Sequence, residues 1–256
     1  MGAGIVTMSC LRGRIEGNRV EGNLGKVNIG PGQIGLCDYQ NAAGPHGITG
    51  VTDVTIRDNL VILDRDNTTA FSAVHISEGP EWERVGFTDN RIVFFDHAAG
   101  QYAYDIGTGP RIETYSGNRF FGTGSEDFRA VAPGGPYAWE SWRARGLDEG
   151  TAFAPLDDTA PSRITGLTAA RTERGTELRW NAARDSRSGV HHYNVYCGDR
   201  PDFPRRYVTL VGQPTGISFV DEESGDDGAP RWYAVEAEDM CGNRSGWCVS
   251  VSVAFG

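Results

Sequence analysis

The sequence predicts an all-β chain of two domains, a stack of short strands over residues 1–158 and a sandwich of short strands over 159–256. Three observations predict it. Asparagine-centred segments recur at solenoid-like intervals in the first half, and short alternating runs broken by Gly, Asp and Pro fill the second. Thirty-five glycines and 12 prolines without a low-complexity period mark frequent turns, as expected of turn-rich β structure.

The repeat lies in Gly13–Val20, Val54–Val61, Val85–Ile92 and Ile112–Phe120, each a β-prone run, then Gly or Asp before Asn, then a second apolar run. Asn18, Asn59, Asn90 and Asn118 are 41, 31 and 28 residues apart. Asparagine tolerates the left-handed backbone of a sharp turn, and stacked amides can bond to their neighbours above and below, so an Asn ladder is expected.

These segments resemble the I-x-G-N-x-I coils of right-handed parallel β-helix proteins, the fold of many pectate-lyase-like and other polysaccharide-active enzymes. Trp142–Pro155 is similar to the W-x-x-x-G-x-D-x-x-S-x-x-x-x-P segment that follows the last coil in many bacterial members, with Thr151 at the serine position. The resemblance spans Leu11–Pro155 and implies about four coils, whose open first edge another subunit could cover. Trp139 and Trp142, three residues apart in Tyr137–Arg145, suggest a short amphipathic helix over the end of the stack, a cap rather than a sugar platform.

From Pro161 the runs Ile164–Ala169, Thr176–Trp180, His192–Tyr196, Ser218–Asp221, Trp232–Glu238 and Trp247–Val253 read as strands of an immunoglobulin-like sandwich. Trp180, Tyr193, Val195, Tyr196 and the run Tyr233–Asp239 before Gly242-Asn243 resemble a fibronectin type III module. Such modules usually serve glycan-degrading enzymes as spacers or docking surfaces.

The net charge of −10 argues against nucleic acid, which requires a basic stripe. Residues 1–158 carry 21 acidic and 13 basic groups (−8), the remainder 13 and 11 (−2). That field repels a polyuronate and tolerates a neutral glycan. Lys26 is the only lysine, so a cationic catalytic group would be arginine. Five cysteines form no CxxC pair, which disfavours a structural zinc. Cys241 and Cys248 flank a turn and form either a disulfide or two buried thiols. No apolar run approaches a membrane span, and Met1–Thr7 lacks the charged start of a signal peptide, as in the interior of a longer chain.

Aligning the asparagines places His75 beside Asp105 on adjacent strands, both facing outward if Ile76 and Ile106 face inward. A carboxylate beside an imidazole orients it and raises its basicity, as a general base requires. Asp38 and Arg129 lie near the same stripe, where the arginine could stabilise developing negative charge. Tyr102 and Tyr104 could offer a stacking surface, and Asp96 and His97 a substrate-binding corner. The corner acids around Asp64 and Asp66 could hold calcium, though no cofactor is required. His191 and His192 read as loop or strand-edge residues.

The resulting expectation is a secreted polysaccharide-active protein that cleaves a glycan by hydrolysis or elimination. Its alternatives are a carbohydrate-binding or adhesion module and a fragment lacking its catalytic coils. The compartment is implied by the resemblance and the cysteine pair alone.

Overall fold

The computed structural model describes residues 4–8, 10–21, 32–37, 51–63, 72–76, 82–95, 101–107, 112–223 and 230–253. The chain divides into two compact units, Met1–Leu156 and Asp157–Gly256. No helix among the described residues is long and apolar enough to cross a membrane.

Among the described residues, unit 1 holds three sheets. The first runs Ile5–Met8, Gly32–Cys37, Ser72–Ile76, Tyr102–Ile106 and Ala130–Ala132 in parallel, then turns back through antiparallel Gly135–Tyr137. The second stacks Arg14–Glu16, Val51–Arg57, Trp82–Thr88 and Ile112–Ser116 in parallel. The third stacks Arg19–Val20, Leu60–Leu63, Arg91–Phe94, Arg119–Phe121 and Ala152–Ala154, also in parallel.

Register is set by apolar columns. Ile15, Ile56, Phe87 and Tyr115 pair in succession in the second sheet and are all buried. Val20, Val61, Ile92 and Phe120 do the same in the third, and Ile34, Val74, Tyr104 and Ala130 in the first. A slip of one residue would move each strand's apolar side chains out of its column, so the pattern specifies the pairing.

Between the second and third sheets the chain turns at Gly17, Asp58, Asp89 and Gly117, with φ of 65°, 53°, 55° and 64°. The left-handed residue is thus the one before each asparagine, a correction to the expectation that asparagine itself takes that conformation. The asparagine is freed to bond along the stack. Asn18 Nδ2 donates to Asn59 Oδ1 (3.0 Å), Asn59 to Asn90 (2.9 Å) and Asn90 to Asn118 (3.3 Å). Each of these amides donates both to the next asparagine and to a backbone carbonyl of its own layer, that of Glu16, Arg57 or Thr88, as burial of a polar group demands.

The helix Trp139–Arg143 buries Trp139 and Trp142. The Trp142 indole stacks on Tyr104 with centroids 5.5 Å apart, and Phe128 meets Trp139 edge-on at 5.1 Å. Both indoles are thereby committed to the core.

The expected architecture requires correction. The chain is mostly strand but not all-β: it contains a helix, its parallel strands form three separate sheets, and among the described residues no closed coil is traced. An asparagine recurrence and an apolar alternation specify which strands stack. They do not specify the paths that lead from the third sheet to the first and from the first to the second, which pass mostly through residues outside the described set.

Unit 2 is described by its own pairing. One antiparallel sheet joins Thr168–Thr172, Gly175–Arg179 and Ser218–Asp221; another joins Leu210–Gly212, Val190–Gly198, Arg231–Asp239 and Val251–Val253. Leu178 and Trp180 share one core with Tyr193, Val195, Tyr233 and Val235. Short alternating runs announce such sheets without naming the order that joins them, so the assignment to a fibronectin type III sandwich is withdrawn along with the coil. Cys241 and Cys248 are buried free thiols rather than a disulfide. The Cys248 sulfur instead accepts the Val235 backbone N–H at 3.1 Å.

Candidate functional site

The first sheet pairs His75 with Asp105. Their neighbours Val74, Ile76, Tyr104 and Ile106 are buried, which turns His75 and Asp105 to the opposite face. His75 Nδ1 lies 2.9 Å from Asp105 Oδ2, with side-chain exposures of 16% and 27%. The pair is thus packed enough to hold one geometry and open enough to be touched. A carboxylate at Nδ1 favours the proton there and leaves Nε2 as the basic nitrogen toward an incoming group.

The row continues on both sides through small or apolar residues. Gly35 pairs with His75, and Val131 with Asp105. A glycine at position 32 is required beneath this row, because a Cβ there would run into the backbone nitrogen and Cβ of His75.

Arg129 does not join the dyad. Its Nη1 donates to the carbonyls of Glu126 (2.9 Å) and Phe128 (2.7 Å), so the guanidinium serves its own loop. Tyr104 cannot stack on a sugar: it is fully buried, and its hydroxyl donates to Asp148 Oδ1 at 3.2 Å. Burial beside that carboxylate pushes its phenol well above the ordinary value. Tyr102 is half-buried on the same strand. Asp38, Asp64, Asp66, Asp96 and His97 lie outside the described residues.

Three polar groupings escaped the sequence reading. Asp148, 1% exposed, accepts hydrogen bonds from Trp142 Nε1 (2.7 Å), Thr151 Oγ1 (2.9 Å), Asn118 Nδ2 (3.0 Å) and Tyr104. The aspartate in the segment that follows the last repeat was its available signal.

In unit 2, His192 is buried inside a long strand rather than at an edge. Beside it Tyr196 donates to Glu236 Oε1 at 2.6 Å, Asn194 Nδ2 to Glu238 Oε2 at 3.2 Å, and Arg244 Nε to that same oxygen at 2.8 Å. These two buried glutamates are satisfied by donors on the neighbouring strand Val190–Gly198 and by Arg244, as a structural network requires. The third grouping is Asp157, Asp185 and Asp239, whose carboxylate oxygens approach within 4.8 Å of one another.

No family model matches the chain, and no curated protein matches it. Among solved structures, the crystal structure of the Clostridium perfringens spore cortex lytic enzyme SleM is similar at a TM-score of 0.31 and 12% identity, covering 71% of this chain and 66% of that one. The chain therefore spans just under two thirds of that enzyme's length.

Proposed function

We propose that the outward face of the first sheet acts on a neutral polysaccharide, with His75 as the acid–base group and Asp105 as the residue that orients it. One observation carries this reading: the 2.9 Å contact between His75 Nδ1 and Asp105 Oδ2 at a partly exposed position. Hydrolysis of an uncharged glycan breaks the glycosidic C–O bond, forms a new one to the oxygen of water and moves a proton from that water to the departing oxygen, and Nε2 of an oriented imidazole can take this proton and pass it on. The acidic first half, −8 by count (21 acidic against 13 basic residues up to 158), favours an uncharged chain over a polyuronate. Such a substrate puts the protein at the cell surface or outside the cell.

A second reading, glycan binding without cleavage, is favoured by the engagement of Arg129 with its own loop. That leaves the developing charge of a transition state without the expected guanidinium.

The test is a panel of neutral and uronic glycans with and without calcium, read by new reducing ends and by absorbance of unsaturated products, for wild type and His75→Ala. Cleavage that disappears in the variant supports the first reading. Cleavage equal in both removes His75 from the chemistry, and glycan retention without cleavage selects the second.

A further inference from the structure

Three aspartates distant in sequence meet in unit 2. Asp157 and Asp239 are 1% and 0% exposed, and one oxygen of each lies within 4.8 Å of the other and of Asp185. Buried carboxylates of like charge repel through a medium that screens poorly, so such a group requires protons or a cation.

Neutral donors bond to Asp157 and Asp239, and the Arg187 charge acts on Asp157 through space. Asp157 accepts the backbone N–H groups of Thr159 (2.9 Å) and Ser188 (3.0 Å), and Asp239 accepts the backbone N–H and side-chain amide of Asn243, both at 2.8 Å. The Arg187 guanidinium bonds to Asp158 instead, at 3.1 Å.

Asp185 contributes an independent observation. Its Oδ1 accepts the N–H groups of Arg187 (2.7 Å) and Gly189 (3.2 Å), whereas its Oδ2 is sealed from solvent and has no hydrogen-bond partner. A sealed, unpartnered carboxylate oxygen is costly in a folded protein unless something coordinates it.

We propose that Asp157, Asp185 and Asp239 form a calcium site that ties the opening segment of unit 2 to the loop before Val190–Gly198 and to the end of Arg231–Asp239. The donors are hard oxygens, which select calcium or magnesium over softer metals. Oxygens on opposite sides of calcium stand about 4.6–5.2 Å apart, against about 4.0–4.2 Å on magnesium. Ligand atoms that all lie within 4.8 Å of one another are close enough to share one such ion. Three carboxylates leave roughly three to five of calcium's positions for water or backbone oxygens. The inference stands apart from the glycan reading, since no residue of the His75 face takes part.

The experiment uses the full chain, stripped with a chelator, titrated with calcium chloride or magnesium chloride by calorimetry, and melted with and without each ion. The expected result is one calcium per chain, bound about tenfold or more tighter than magnesium, with a raised melting transition. Asp185→Asn keeps the Oδ1 acceptor and removes the charge, so it should retain the circular dichroism of wild type and bind calcium at least about tenfold more weakly. Asp239→Asn serves as the second variant, expected to show the same loss. No heat and no shift in melting at millimolar calcium would overturn the proposal. So would binding of one ion that both variants leave unchanged, because the ion would then sit elsewhere.

Discussion

Asn118 Nδ2 donates to Asp148 Oδ1 at 3.0 Å, and this contact ends the asparagine ladder. Each amide below it passes its hydrogen to the next asparagine, which accepts and donates in turn. An ionised carboxylate only accepts. Asp148 can therefore receive the final amide while also holding the indole of Trp142 and the hydroxyls of Thr151 and Tyr104. The ladder and the aromatic cap are joined at one side chain.

Asp148→Ala should lower the stability of unit 1 by about 3–5 kcal/mol, because four donors lose a buried acceptor and each unsatisfied polar group costs about 1–3 kcal/mol before relaxation. Urea unfolding followed by tryptophan fluorescence measures it. A loss below about 1 kcal/mol would mean that water replaces the carboxylate and that the closure is not structural.

The same residue gives a pH dependence. Burial holds the Asp148 carboxyl above its ordinary value, and the hydrogen bonds from Asn118, Trp142, Thr151 and Tyr104 pull it back without cancelling the effect. A folded value above the unfolded one means that the native state keeps this proton longer. Its contribution to stability is complete below the unfolded value, near about 4, and is lost as pH rises through the folded one. Asp148→Asn cannot titrate, so the pH slope of unit 1 stability just above that point should shrink in the variant. An unchanged slope would assign it to other groups.

Much of the local arrangement was legible because the asparagines carry the register. Setting Asn59 against Asn90 put His75 opposite Asp105, and the sheet has that pairing. The same alternation contained the answer for Tyr104, which shares its parity with the inward Ile106 and so belongs to the core. Arg129 was beyond reach, because its backbone sits beside the right strand while the direction of its guanidinium depends on carbonyls of an irregular loop. The aspartate cluster had no signal in spacing, since Asp157, Asp185 and Asp239 are brought together only by the pairing of distant strands. The paths from the third sheet to the first and from the first to the second were equally illegible, for the connecting segments carry no apolar period.

Asp105→Asn tests orientation apart from basicity. The amide preserves size while removing the charge that favours a proton on Nδ1, so His75 would lose the tautomer that leaves Nε2 basic. If the face cleaves glycans, kcat should fall about 10²- to 10⁴-fold with little change in KM. A change confined to KM would instead make Asp105 a binding residue.

Two turn glycines separate backbone conformation from crowding. Gly17 has φ of 65° and open space where a Cβ would stand, so Gly17→Ala meets only the left-handed penalty, about 1–2 kcal/mol. Gly122 has φ of 76°, and its Cβ would collide with the Phe94 carbonyl oxygen one layer away. That oxygen belongs to backbone held by the third sheet and cannot move without separating paired strands. Gly122→Ala should therefore cost more than Gly17→Ala, by about 1–3 kcal/mol, the ordinary range for overpacking. Chemical denaturation of the two variants side by side measures the difference. Equal losses would mean that the chain around Gly122 shifts freely, and that tight stacking between Arg91–Phe94 and Arg119–Phe121 contributes little to holding the layers together.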